Sequence, residues 1–329
     1  MSAAAAPLLE LDALSVRLPL RGVLAPVIHD VTLAVAAGEA VGLVGESGSG
    51  KSMTLRSITR LLPPGAETGG DVRFEGRSVG ALRGAALRAF RAHDVAVVFQ
   101  DPRAHINPMR SVGDFLIEGL CTTRGVRRAE AEKRVSALLA DVGIPDAARR
   151  LRQRPHELSG GLLQRVMIAA ALAIEPKLIL ADEPTTALDV TTQEEVMAIL
   201  DEQRRERGLA MVFVSHDLEL ASAVCDRIAV MYAGSIVDDQ AAGVLHQAAA
   251  HPYTAALLAA RPGLGARGER LRTVEGRPLS AFEAPPGCAF APRCPRADDR
   301  CRIERPVLRP VGVGRAACHH AEEEVAAHG

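Results

Sequence analysis

The chain has 329 residues, 48% of them apolar and 24% charged, with a formal net charge of −1, which suits a globular protein with one large core and an appendage or two modest domains. Near-neutral charge and the lack of any lysine- or arginine-rich run argue against a broad nucleic-acid surface. No stretch reaches the roughly 18 apolar residues of a membrane span, and MSAAAAPLLELDAL has no basic start or long apolar centre of a secretory signal, so the chain is expected to be cytosolic and its six cysteines ligands or inert thiols.

In chain order, Ala40–Val44 (AVGLV) reads as a short buried strand leading through Gly45 into a helical pattern, Lys51–Leu62, stopped by Pro63-Pro64-Gly65. Val95–Phe99, Leu178–Ala181 and Met211–Val214 are further apolar runs bounded by polar residues, as in a parallel sheet covered on both faces. Between them, Arg127–Val142, Val166–Ile174 and Thr191–Arg207 read as helices. After about residue 255 the texture turns to arginine, proline, glycine and cysteine with little periodicity, and a domain boundary is expected there. Cys121 and Cys225, in apolar helical surroundings, are expected to be core thiols.

Three elements carry chemistry. Gly45-Glu46-Ser47-Gly48-Ser49-Gly50-Lys51-Ser52 fits GxxxxGK[ST]: small residues let the backbone wrap around phosphate and aim amide hydrogens at it, and the following helix adds its positive end. Lys51 is one of only three lysines in an arginine-rich chain; a compact ammonium on a flexible stem reaches the β- and γ-phosphates where a planar guanidinium fits poorly. Ser52 is then a magnesium ligand. Second, Asp182 and Glu183 end the Leu178–Ala181 strand, where ligand sites open in parallel sheets; Asp182 suits the magnesium shell and Glu183 the attacking water. Third, Ser159-Gly160-Gly161 stand before a helical run as a second anion-binding helix start. One nucleotide has little use for two such termini from one lobe, so a site shared between two subunits is expected.

With the LSGG sequence in place, residues 8–255 resemble the ATP-binding cassette (ABC) ATPases, several of whose motifs occur here in the family's order. The resemblance implies an α/β P-loop cassette with a RecA-like core, an antiparallel β region and an inserted helical subdomain at about 101–164. It implies that Gly45 through Met53 bind ATP, that Gln100 in VFQDP contacts magnesium and nucleotide, and that His216 in VSHD contacts the γ-phosphate. Thr186-Ala187-Leu188-Asp189 looks like the segment that puts Asp189 at the dimer interface, where it and Ser159–Gly161 meet the partner's ATP. Two positions depart from the family: Leu162 stands where the signature has glutamine, and Val16–Val23 lacks the aromatic residue that commonly stacks on adenine, leaving Leu18 nearest that place.

RVMIAAALAIEPKLILADEPTTALDVTTQ, FQDPRAHINPM and HPYTAALL at 251–258 are similar to the D-type ATP-binding subunit of bacterial dipeptide and oligopeptide importers. That similarity implies ATP hydrolysis coupled to peptide import, a second cassette as heterodimer partner, two transmembrane permease subunits, an extracytoplasmic solute-binding protein, and a peripheral place on the cytoplasmic face of the membrane. Close relatives that move nickel or other small solutes, and soluble ABC ATPases without membrane partners, are the competing readings. Residues 256–329 correspond to the family's C-terminal extension. Its irregular segment holds Cys288, Cys294, Cys301 and Cys318, which fit a closed metal site whose ligation helps fold a segment poor in apolar residues. The family's cysteine pattern and the Cys294-Pro295 step point to a [4Fe–4S] cluster. Zinc, with four cysteines or three plus His319 or His320, and unligated thiols or disulfides are the alternatives; a redox-sensing tail is a further reading. Because the nucleotide motifs all precede residue 255, ATP binding is expected to survive replacement of any one of these cysteines by serine, even as the tail loosens.

Overall fold

The computed structural model describes residues 6–186, 188–260, 274 and 276–328. It divides into two compact units, one of residues 1–34, 40–80 and 214–329, the other of 35–39 and 81–213.

In the first unit, Leu9–Leu20, Val23–Val35, Glu67–Phe74 and Arg77–Ser78 form a four-stranded sheet in the order Val23–Val35, Leu9–Leu20, Glu67–Phe74, Arg77–Ser78. Leu9, Leu11, Leu14 and Val16 are buried on the first of these strands and Val31, Leu33 and Val35 on the second, the mainly alternate spacing that a one-sided sheet requires. A second set of strands runs Arg309–Val311, Gly314–Ala316, Ser235–Ala241, Arg227–Tyr232, Ala40–Val44. Ala40–Val44 pairs parallel with Arg227–Tyr232, and the other pairs are antiparallel. The cysteine-rich tail thus adds a hairpin with a two-residue Gly312-Val313 turn to the Ser235–Ala241 edge. The compositional change near residue 255 falls inside the Pro252–Ala259 helix. Ala250, Val311, Ala316, Cys318 and Ala321 make a small apolar cluster under the hairpin.

In the second unit, Val95–Val98 pairs parallel with Leu178–Asp182, and Ala210–Ser215 lies on the other side of Leu178–Asp182. These strands are almost wholly buried, which explains their unbroken apolar runs. Val112–Thr123, Arg128–Asp141 and Gly160–Ala173 pack on one another, with buried stripes such as Ala131, Val135 and Leu138 at helical spacing.

Two helix boundaries differ from expectation by more than one residue. The helix expected from Val166 begins at Gly160, because the Ser159 side chain accepts from the Leu162 amide and starts it six residues earlier. The helix expected to reach Leu62 ends at Thr59: Arg60 turns left-handed at φ 55° and its amide closes on Arg56 and Ser57 carbonyls before the prolines are reached.

Candidate functional site

The Gly45–Ser52 loop joins the Ala40–Val44 strand to the Lys51–Thr59 helix, and its chemistry needs glycine at two places. At Gly45 a Cβ would meet the Met231 carbonyl oxygen at 2.1 Å, and Gly50 caps the helix at φ 105°, a conformation closed to side-chain-bearing residues. Lys51 is 5% exposed, and its Nζ donates to the Gly45 oxygen at 2.7 Å and the Glu46 oxygen at 3.1 Å. The ammonium is therefore drawn back over its own loop. Ser49 is buried, and its hydroxyl has no hydrogen-bond partner among the described residues, which is uncommon for a buried polar group. Ser47 and Gly48 are exposed, and Ser52 and Met53 half-buried. His216, also in this unit, is exposed directly after the Ala210–Ser215 strand. Leu18 is half-buried near the end of the Leu9–Leu20 strand.

The loop is held from the C-terminal part of the chain, which the sequence did not disclose. Arg293 of the tail is almost fully buried and makes a fork on Glu46: Nη1 donates to Oε2 at 2.8 Å and Nη2 to Oε1 at 3.3 Å. It also donates to the Tyr232 hydroxyl at 3.3 Å and the Val274 oxygen at 3.2 Å, and lies 5.8 Å from the Tyr232 and Phe290 ring centroids. Burial works against the guanidinium's charge, yet the Glu46 carboxylate and the Tyr232 hydroxyl outweigh it and its pKa rises. The Glu46 amide donates to the Tyr253 hydroxyl at 3.0 Å. Tyr253 is set by the His251–Leu258 stretch: its own amide donates to His251 Nδ1 at 3.0 Å, and the Ala250 and His251 amides donate to Asp238 Oδ2 at 3.0 and 3.1 Å. Burial pushes the His251 pKa down to about 3 and Asp238 up to about 6, so near neutral pH this network has a neutral imidazole acceptor and a carboxylate acceptor. The HPYT stretch was legible as a motif; the bond it makes to the loop was not.

The second unit gathers the acids and the signature. Glu183 sits just past the Leu178–Asp182 strand in a left-handed conformation, φ 45°, uncommon for a residue with a side chain. Its Oε2 accepts from Gln100 Nε2 at 3.2 Å and Thr186 Oγ1 at 3.0 Å, so two residues separately singled out by sequence, Gln100 and Glu183, are brought together. Asp182 and Glu183 are half-buried and Gln100 exposed. Ser159 is exposed, Gly160 half-buried and Gly161 buried, opening the Gly160–Ala173 helix. Asp189 is exposed and caps the Val190–Arg207 helix, accepting from the Thr192 amide at 3.0 Å and the Thr192 hydroxyl at 2.8 Å; these bonds hold its pKa below the usual carboxylate range. Ala187 of the same segment lies outside the described residues.

In the tail, all four cysteines are buried or half-buried. Burial pushes the thiols up, Cys294 to about 11 and Cys318 to about 12, and Cys318 feels the charge of each of the other three. The Cys288 amide donates to the Cys301 oxygen at 2.8 Å, which ties those two stretches of backbone. Among the described residues, however, the donor atoms within 4.8 Å of one another are those of Asp298, Cys301 and His320, not of three thiols. His319 Nε2 instead bonds the Glu304 oxygen at 3.0 Å. Cys225 is buried as expected of a core thiol, and Cys121 is half-buried. No helix among the described residues is long and apolar enough to cross a membrane.

Residues 28–186 match the ABC transporter family model, and 240–301 match that of the oligopeptide/dipeptide transporter C-terminal region. A putative peptide import ATP-binding protein of Brucella abortus is 44% identical over 313 residues, covering 95% of this chain and 94% of that one. The dipeptide transport ATP-binding protein DppD of Escherichia coli is 41% identical over 95% of this chain and 96% of its own, and the oligopeptide transport ATP-binding protein OppD of Salmonella typhimurium 41% over 91% and 89%. Among solved structures, the dimeric post-hydrolysis state of the ATP-binding cassette MJ0796, bound to ADP and phosphate, aligns with TM-score 0.64 at 30% identity over 71% of this chain and 98% of that one. Similarity that runs almost end to end, over a phosphate loop with the geometry above, places this chain in the ABC transporter ATPase family, in the group that carries the oligopeptide/dipeptide transporter C-terminal region.

Proposed function

We propose that this chain is the ATP-hydrolysing subunit that energises import of dipeptides or oligopeptides through partner permease subunits, from the cytoplasmic face of the membrane. The observation that carries the reading is the near full-length similarity to peptide import and transport ATP-binding proteins, tail included. Gly45–Met53 cradle the triphosphate, Lys51 meets the β- and γ-phosphates, and His216 senses the γ-phosphate. Ser52, Gln100 and Asp182 offer magnesium the hard oxygen donors it prefers. Glu183 orients and polarises water. Ser159, Gly160, Gly161 and Asp189 serve the ATP held by a second cassette. Affinity purification of the tagged chain from membranes tests the whole assignment: two permease subunits and a second cassette are expected to co-purify, and peptide uptake should stop when the chain is removed. Recovery of the chain with ribosomes and no membrane protein would overturn it.

A shared site makes a quantitative demand on the isolated chain. Its specific ATPase activity should be low and rise with protein concentration or on adding the partner cassette, because each loop lacks a signature in trans. Full activity from a proven monomer, independent of concentration, would contradict the sharing.

For the tail, the proposal is a metal centre. Cys288, Cys294, Cys301 and Cys318 would hold a [4Fe–4S] cluster as thiolates, and its ligation would supply folding energy to an irregular segment. Anaerobically purified protein should then absorb at about 400 nm and carry roughly four irons per chain. Cys301→Ser should lose that iron and melt lower by about 5 °C or more. One observation favours a second reading: a single ion has its closest donors in Asp298, Cys301 and His320. Colourless protein with one zinc per chain, lost in His320→Ala, would replace the cluster by that site.

A further inference from the structure

The phosphate loop includes an acid where it handles an anion. Glu46, second in GESGSGKS, adds a negative charge beside a site meant for a triphosphate, and like charges at short range disfavour one another most where water is scarce. Arg293, 247 residues further along the chain, meets that carboxylate with both Nη atoms. The pair is enclosed: Arg293 is 4% exposed and Glu46 23%. A fork of this kind fixes orientation as well as charge.

The same segment of backbone is tied three ways. The Glu46 amide donates to Tyr253, its carboxylate accepts from Arg293, and its carbonyl, together with that of Gly45, receives the Lys51 ammonium. Tyr232, Tyr253 and Phe290 pack on one another with ring centroids 4.7 Å to 5.4 Å apart, and Arg293 lies 5.8 Å from the Tyr232 and Phe290 centroids. Arg293 closes the short Ala291–Arg293 turn directly before Cys294, so it is carried by the cysteine-bearing part of the tail.

We propose that Arg293 is a positioning residue of the phosphate loop: it neutralises Glu46 and, with Tyr253, fixes the backbone on which Lys51 is seated, so that nucleotide affinity is set in part from the C-terminal tail. This rests on reading Gly45–Ser52 as the nucleotide site. Glu46 serves the phosphate loop through its backbone, which the substitution Glu46→Gln keeps; its carboxylate is turned to Arg293, and Arg293 acts through it. It also departs from the expectation that ATP binding survives a loosened tail unchanged.

The test is a double-mutant cycle on the full-length chain, read by titration with a fluorescent ATP analogue and magnesium, with the nucleotide-free melting temperature measured on each variant. Arg293→Met should weaken nucleotide binding about tenfold, since it leaves a partly buried carboxylate unpaired beside the loop. The double variant Glu46→Gln with Arg293→Met should recover to within about threefold of wild type, because the unpaired charge is gone. Arg293→Lys, which keeps the charge and loses the fork, should fall between and guards against a methionine variant that fails to fold. A tail that merely stabilises the protein would lower the melting temperature of both methionine variants without restoring affinity in the double one. Affinity within twofold of wild type in Arg293→Met and Arg293→Lys, or a double variant no better than the single, overturns the proposal. Lys51→Ala in the same titration separates the two readings: if it still binds nucleotide, the loop assignment itself fails, and if it does not while the Arg293 variants bind normally, only the positioning role fails.

Discussion

Glu183→Gln is expected to lower steady-state ATP turnover by about two to four orders of magnitude while nucleotide affinity stays within about threefold. The substitution preserves size at a position where size matters, because Glu183 holds a left-handed backbone conformation immediately after a buried strand. It removes what an amide cannot supply, a carboxylate to orient and polarise water. The bond to Thr186 survives, since an amide oxygen still accepts from a hydroxyl, and so does the bond to Gln100, so the fold around the site has no reason to change. A phosphate-release assay with the partner cassette present, run beside nucleotide titration, checks both halves. Hydrolysis near the wild-type rate would remove Glu183 from its role, whereas lost binding would show that the residue shapes the site instead.

Lys51→Arg should raise the dissociation constant for ATP about 10- to 100-fold, the range expected when hydrogen bonds to a charged group are lost. The charge is unchanged, so the effect isolates shape. Lys51 is buried, with its ammonium between the carbonyls of Gly45 and Glu46, and the loop around it has no room at Gly45 even for a methyl group. A guanidinium is planar and wider, and it cannot both clear those carbonyls and present a compact charge to phosphate. Unchanged affinity in the arginine variant would show that the loop asks only for a cation. That outcome would also leave the choice of lysine in so arginine-rich a chain without a physical reason.

The sequence by itself determined the features that are written in contiguous residues. A phosphate loop is a local backbone requirement, so the spacing of Gly45, Gly50 and Lys51 was enough to place it, and the unbroken apolar runs before Gly45, Asp182 and His216 were enough to make them strand ends. Helix cores such as Arg128–Asp141 followed from periodicity, while the early start at Gly160 and the early stop at Thr59 turned on a single capping bond and a single left-handed residue. Only the tertiary structure decided which distant groups meet. Gln100 and Glu183 share a hydrogen bond across 83 positions, Glu46 and Tyr253 across 207, and Glu46 and Arg293 across 247. Such pairs have no period and no neighbouring signal: Arg293 is one arginine in a segment full of them, and it becomes distinct only when folding sets it against the Tyr232 and Phe290 rings with Glu46 as its carboxylate. The tail's change of composition near residue 255 was visible for the same reason that its attachment was not, since composition is a local property and strand pairing with Ser235–Ala241 is a property of the folded chain.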